Sequence, residues 1–398
     1  MQYRDDLKGS SRLSALGFGC MRFPRGMTGR IDLAKAERLI VDAVEDGVNY
    51  FDTAYIYGGS EEALGEILAK NNLREKVNIA TKLPPAKCGT YEDFEALFKT
   101  ALGRLQTTYI DYYLIHNIST LSLWNRLLEL GIERWIAEKK ASGEIRRIGF
   151  SFHGSLDSFL ELLNAYDWDF CQIQYNYLNP NDQAGVDGLK AAAAKGLPVI
   201  IMEPLLGGKL AVNLPQRAVD LFKEVNANRS AAEWALRWLW DQPEVTVVLS
   251  GMNSPNQLSE NVAVASDAKV GSLTDAERAV YEPVRAVIMH ANKVGCTGCG
   301  YCMPCPAGVN IPGCFMAYNM SYALSYFEGM KNYLTTAGMG NPEGNSGARK
   351  CVGCGKCKSQ CPQRIAIPDE LRRVANRLEP FWVRAGVSVV LWQWRRRG

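Results

Sequence analysis

Eight of the twelve cysteines fall into two runs, Cys296-x2-Cys299-x2-Cys302-x2-Cys305-Pro306 and Cys351-x2-Cys354-x2-Cys357-x3-Cys361-Pro362. Thiolates at this pitch, each run closed by Cys-Pro, are how a chain wraps cubane iron–sulfur clusters: three sulfurs of one run converge on one cluster and the fourth reaches its neighbour. Eight ligands then imply two [4Fe–4S] clusters, one on Cys296, Cys299, Cys302 and Cys361, the other on Cys351, Cys354, Cys357 and Cys305. Four-cysteine zinc sites and disulfides are the alternatives. Zinc sites pair two CxxC knuckles and have no need of a third and fourth cysteine in each run, and disulfide frameworks suit small secreted chains. The first run has two residues before its last cysteine where the bacterial pattern has three, so Cys314 is a substitute for Cys305.

A second constellation lies in the first two-thirds of the chain. Asp52, Tyr57, Lys82 and His116 each stand at or just beyond the end of a β-rich run. The strand candidates are Leu16–Cys20, Tyr50–Asp52, Val77–Lys82, Asp111–His116, Ile145–Ser151, Phe170–Gln174, Pro198–Met202 and Thr246–Ser250. Between them lie stretches with apolar residues at helical spacing, as in 33–41, and glycines punctuate many of the joins, Gly47, Gly143 and Gly196 among them. Eight such units in about 250 residues predict an α/β fold, a closed (β/α)8 TIM barrel, in which polar groups at the carboxyl ends of strands face one mouth. An open doubly wound sheet is disfavoured because no G-x-G-x-x-G opens the first helix. A capping aspartate, a packed tyrosine, a solvated lysine and a bonded histidine would each be ordinary alone. Four at corresponding strand ends point to a site.

The motifs Phe51-Asp52-Thr53-Ala54-Tyr55-Ile56-Tyr57-Gly58, Ala80-Thr81-Lys82 and Leu114-Ile115-His116 resemble the catalytic motifs of the aldo/keto reductase family over about residues 10–265. With its cysteine-rich end the chain resembles the family's iron–sulfur branch. The resemblance implies an oxidoreductase that moves hydride between a nicotinamide cofactor and a small carbonyl or alcohol substrate. Tyr57 would be the general acid, Lys82 would lower its pKa from the free value near ~10, Asp52 would hold Lys82, and His116 would orient the carbonyl. It also implies a cofactor cradle of Ser151, Gln172 and Met202 at the nicotinamide and Gly251, Gln257, Glu260 and Asn261 at the adenosine end. Two departures bear on it. Phe152 stands where the family has an asparagine, and Gly251 and Gln257 stand where basic residues grip the 2′-phosphate of NADPH, so the cofactor preference is expected to be relaxed or to lean to NADH, with Lys209 as a reserve cation. Hydride moves two electrons and iron–sulfur clusters one, so a flavin in the barrel mouth is the alternative cofactor. An electron-transfer enzyme serving a redox protein partner, and a non-catalytic redox-sensing subunit, are the alternative functions.

The expected division is a barrel over 1–266, a connecting helix over 267–292, a helical ferredoxin-like domain over 293–379 and an aromatic, basic tail over 380–398. At 47% hydrophobic, 22% charged and a net charge of +3, the composition is globular and gives no reason to invoke nucleic acid. The first residues lack the apolar stretch of a signal peptide, no run of about 20 apolar residues could cross a bilayer, and the many thiols suit a reducing compartment, so a cytoplasmic chain is expected. The tail's tryptophans beside three arginines would suit a membrane interface as readily as packing on the protein.

Overall fold

The computed structural model describes residues 1–6, 12–26, 28–212, 214–323, 325–336 and 345–383. They form two compact units: Met1–Leu205 with Ser230–Arg278, and Leu206–Arg229 with the residues from Ala279 onward. Residues 206–229, counted with the barrel on sequence, thus cluster with the C-terminal unit.

The first unit is a closed barrel of eight parallel strands, Leu16–Gly19, Tyr50–Asp52, Asn78–Leu83, Ile110–Ile115, Ile145–Phe152, Phe170–Gln174, Val199–Met202 and Val245–Ser250. They pair in chain order, and the eighth returns to the first through Val248 opposite Leu16 and Ser250 opposite Phe18. Every strand candidate appears with its ends shifted by no more than a residue. Side-chain alternation divides the apolar residues into two layers. Tyr50, Ala80, Tyr112, Leu114, Phe170, Ile200 and Val247 fill the barrel, while Phe51, Ile79, Tyr113, Ile148, Phe150 and Ile201 pack into the larger core with the helices. A two-stranded antiparallel element, Tyr3–Asp5 with Arg12–Ser14, precedes the barrel and contributes Leu13 to its interior. Its strands are too short for periodicity to announce them.

The C-terminal unit is helical: Gln216–Val225, Tyr281–Ala291, Ile311–Ala323, Tyr326–Thr336 and Ile367–Leu378 around a core that includes Phe315, Tyr333, Leu371 and Val374. Phe222 of the first of these helices packs edge-on to Tyr281 of the second, ring centres 5.9 Å apart. An internal repeat is visible here. Cys305-Pro-Ala-Gly-Val-Asn-Ile-Pro312 and Cys361-Pro-Gln-Arg-Ile-Ala-Ile-Pro368 each lead into a helix that begins with Ile-Pro, at Ile311 and Ile367. Proline at the first turn costs the helix nothing, since the N–H it lacks would have had no partner there. Among the described residues no helix is long and apolar enough to cross a membrane. Of the tail, Phe381 and Trp382 are exposed and Val383 is buried; residues 384–398 lie outside the described residues.

Candidate active site and cysteine loops

Strands two, three and four bring Asp52, Lys82 and His116 to the same end of the barrel. All three are buried. The Lys82 ammonium donates to both Asp52 oxygens at 2.7 Å and to the Thr53 carbonyl at 2.6 Å, so its three protons have three acceptors. Burial raises the Asp52 carboxyl above its ordinary value, and the adjoining ammonium and the Gln172 amide pull the other way. Tyr57 stands beyond strand two, partly exposed. Its ring centre lies 5.3 Å from Lys82 Nζ and 6.0 Å, edge-on, from the His116 ring. Burial, the Lys82 charge and His153 hold the His116 imidazole well below its usual pKa, so it is neutral at physiological pH.

The loop carrying Tyr57 is fixed from below. Its own turns bond Tyr57 N to Ala54 O and Ser60 N to Tyr57 O, both at 2.9 Å. Thr53 Oγ1 donates to Ser60 Oγ, which donates to the Cys20 carbonyl. Arg104 donates to Tyr55 O, lies over the Tyr55 ring, and pairs with Glu61, whose other oxygen accepts from Thr81 beside Lys82. Nothing in the spacing of Glu61, Thr81 and Arg104 signals this support; each sits on a different element.

Ser151 and Gln172, on strands five and six, reach the same mouth. Ser151 Oγ accepts from Asn117 N at 2.8 Å and thereby ties down the loop after strand four. Gln172 Nε2 donates to Asp52 at 3.4 Å, while its Oε1 is buried and accepts no hydrogen bond. An unsatisfied buried acceptor at this point suits an incoming amide N–H₂, such as the carboxamide of a nicotinamide, since leaving it bare costs ~1–3 kcal/mol. Phe152 is not in the mouth. It packs outward in the strand–helix layer, 5.1 Å from Phe159, and the following residue, His153, is buried and bonded through Nδ1 to Gln183 at 3.0 Å. The lost asparagine is thus not replaced by an aromatic face in the site. Met202 ends strand seven half-buried against the barrel interior. Cys20 is fully buried behind Asp52 and Lys82, with its thiol pushed well up by burial.

In the segment expected to meet the adenosine, Ser254 caps the helix Pro255–Asp267 by accepting from Gln257 N. The Gln257 side chain closes the same turn by accepting from Asn253 N at 2.9 Å. Asn261 donates to Ser250 Oγ at 2.9 Å, and Glu260 accepts from Ser230 Oγ. Gly251 leaves room for an arginine: a Cβ built there would meet Arg22 Cδ at 3.2 Å and Arg22 Cβ at 3.3 Å. Arg22 itself is exposed. Lys209, the reserve cation, donates instead to the Cys296 carbonyl within the C-terminal unit.

The cysteine loops repeat a finer pattern than cysteine spacing alone, Cys-x-Gly-Cys-Gly-x-Cys, at 296–302 and 351–357. All four glycines, Gly298, Gly300, Gly353 and Gly355, have φ between 72° and 82°. Added Cβ atoms there would meet nothing within 4 Å, so it is the left-handed backbone and not crowding that demands glycine. Gly298 N donates to Cys296 Sγ at 3.4 Å. The thiols of the two runs intermingle. Cys296, Cys299, Cys302 and Cys361 line one small apolar cavity closed by Phe315 and Ile367, and Cys302 is pushed up to about 12 by burial and by its three companions. Cys357 is raised by burial and then by Cys351, Cys305 and Cys354. Cys314 is buried in the helical core against Tyr333, and its Sγ lies 3.9 Å from the Ser346 carbonyl. Four thiols around one apolar cavity are a donor set that suits an iron–sulfur cluster.

A family model described as "Aldo/keto reductase family" matches residues 15–277, and one described as "4Fe-4S dicluster domain" matches residues 295–367. An L-galactose dehydrogenase of Arabidopsis thaliana is 30% identical over 305 residues, 69% of this chain and 92% of that protein. An aldo-keto reductase from Bacillus halodurans, solved in its holo form, superposes with a TM-score of 0.59 at 26% identity, over 71% of this chain and 96% of that one. The same fold is found in an aldo-keto reductase from Klebsiella pneumoniae in complex with NADPH, with a TM-score of 0.58, 24% identity and 69% and 92% of the two chains covered.

Proposed function

The chain belongs to the aldo/keto reductase family and carries a 4Fe-4S dicluster domain, and from that premise we propose that it reduces a small aldehyde or ketone, or oxidises the matching alcohol, with Tyr57 as proton donor. The observation that carries this reading is the buried Lys82–Asp52 pair, whose ammonium faces the Tyr57 ring beside a neutral His116. A reduced nicotinamide bound at the barrel mouth would supply the hydride. Ser151 and Gln172 would hold its carboxamide, with the bare Gln172 Oε1 as acceptor, Met202 would pack on its ring, and Glu260 and Asn261 would meet its adenine.

Proton transfer falls to the chain. As hydride reaches the carbonyl carbon, negative charge grows on the oxygen and Tyr57 delivers its phenolic proton there. Lys82, held by Asp52, stabilises the phenolate left behind. A neutral imidazole on His116 can donate an N–H to the same oxygen and fix its direction without competing as an acid. The test is isotopic: with both C4 hydrogens of the reduced nicotinamide replaced by deuterium, a reduced carbonyl product must carry the label at carbon. Turnover that leaves that carbon unlabelled rejects hydride transfer.

Cofactor selectivity is proposed to be relaxed, because Gly251 and Gln257 offer no cation, with Arg22 supplying a partial replacement across Gly251. A hydrogen bond to a charged group contributes roughly 1.5–3 kcal/mol. Arg22→Ala is therefore expected to raise KM for NADPH about 10-fold while that for NADH changes less than about twofold. Equal effects on both cofactors would remove Arg22 from the 2′-phosphate.

For the C-terminal unit we propose two [4Fe–4S] clusters on the crossed thiol sets. Cys361→Ser should lower iron from about eight to about four atoms per chain. Adding Cys296→Ser should cost no further iron, since both ligands serve one cluster, whereas adding Cys351→Ser should remove the rest. The opposite pattern would show that each run holds its own cluster.

A further inference from the structure

The two cysteine loops share one pattern but not one environment. The first closes over a cavity, and Thr297 within it is buried. The second turns outward: Cys354 is exposed, as is Gly353, and Val352 is 75% exposed. Charge divides the same way. Residues 294–325 contain no charged side chain, whereas residues 345–368 contain Arg349, Lys350, Lys356, Lys358 and Arg364 and no Asp or Glu. Arg349 is paired with Glu379, and Lys350 donates to the Asn345 carbonyl. Lys356, Lys358 and Arg364 are exposed and form no ion pair among the described residues. An exposed apolar residue and an exposed cysteine thus lie in a short segment with three exposed cations that have no acidic partner among the described residues.

We propose that this face, around Val352 and Cys354, docks an acidic one-electron carrier protein and is where electrons enter or leave the C-terminal unit. The inference rests on the proposed cluster at Cys351, Cys354, Cys357 and Cys305. Electron tunnelling weakens steeply with distance, so a carrier gains most by approaching the ligand that reaches the surface. Val352 gives the contact an apolar centre, and the cations steer and orient a partner whose own redox centre is rimmed by carboxylates. The exchange balances simply: the reduced carrier loses one electron, the oxidised cluster gains it, and no bond or proton moves. A nucleic acid would use the cations but has no need of an exposed apolar residue beside a cluster ligand.

The test uses the anaerobically purified full chain, with oxidised flavodoxin as acidic probe and cytochrome c as a basic carrier of opposite sign. Calorimetry should show flavodoxin binding that weakens about 10-fold or more from low to near-physiological ionic strength, with cytochrome c not binding. The triple variant Lys356→Glu, Lys358→Glu, Arg364→Glu should lose at least about 10-fold in flavodoxin affinity and gain affinity for cytochrome c. Because reversal beside cluster ligands could impair assembly, Lys356→Gln, Lys358→Gln, Arg364→Gln should give a smaller loss with iron content and nicotinamide-dependent carbonyl reduction unchanged. Flavodoxin binding indifferent to all three positions, or a single-stranded DNA probe bound more tightly through the same positions, would overturn the proposal. Iron analysis of the unmodified chain separates this from its premise: about four iron atoms instead of about eight would remove the second cluster itself.

Discussion

Tyr57→Phe is expected to lower kcat for carbonyl reduction by about two to four orders of magnitude, the usual contribution of a positioned general acid. The substitution removes one hydroxyl and keeps the ring, so the edge contact with His116 and the approach of Lys82 survive. Neither Ser151 nor Gln172 touches that hydroxyl in the contacts that fix them, which run to Asn117 and Asp52. Cofactor affinity, followed by quenching of protein fluorescence, should therefore stay within about twofold. Kinetics and binding must separate. Near-normal turnover would mean that another group delivers the proton, and equal losses of binding and turnover would mean that the variant disturbs the mouth as a whole.

Lys82→Met should be the most damaging single change in the barrel. Asp52 is buried with Lys82 as its cation, at 2.7 Å from both oxygens. Removing one partner of a buried pair strands the other and costs ~3–5 kcal/mol, a fall in Tm of roughly 6–20 °C for a domain of this size. The pH dependence has a definite sign. Without its cation, the Asp52 pKa in the folded state rises further above its unfolded value, so the folded protein holds a proton the unfolded chain has released. That penalty is absent at low pH, where both states are protonated, and grows as pH rises above the unfolded carboxylate range. The gap in Tm between the parent protein and Lys82→Met should accordingly narrow on acidification. Adding Asp52→Asn should restore much of the stability and none of the activity, because the phenolate still lacks its counter-charge. A Lys82→Met protein that melts with its parent at neutral pH would falsify the view that this pair is a buried, interdependent unit.

Much of this molecule is legible along the chain. Asp52, Lys82 and His116 are found by reading strand ends, because a barrel of parallel strands delivers every carboxyl end to one mouth. The cysteine runs are equally plain, since a cluster-binding loop is built from near neighbours in sequence. The position of Phe152 was less so. Reading it as a residue of the nicotinamide site follows from alignment of motifs, but alternation along the strand sends it to the helix layer.

What sequence alone determined, then, is whatever depends on local order: the strand–helix rhythm, the strand-end tetrad, the thiol pitch with its glycines. Tertiary structure decided what depends on distance between remote residues. It laid Arg22 across Gly251, braced Tyr55 with Arg104 and Glu61, brought Cys361 to the cavity lined by the first cysteine run, and left Cys314 in the core. The physical reason is that backbone periodicity and ligand pitch are written in consecutive residues. Which charge meets which cavity depends on how separate elements pack, and no single stretch of chain encodes that.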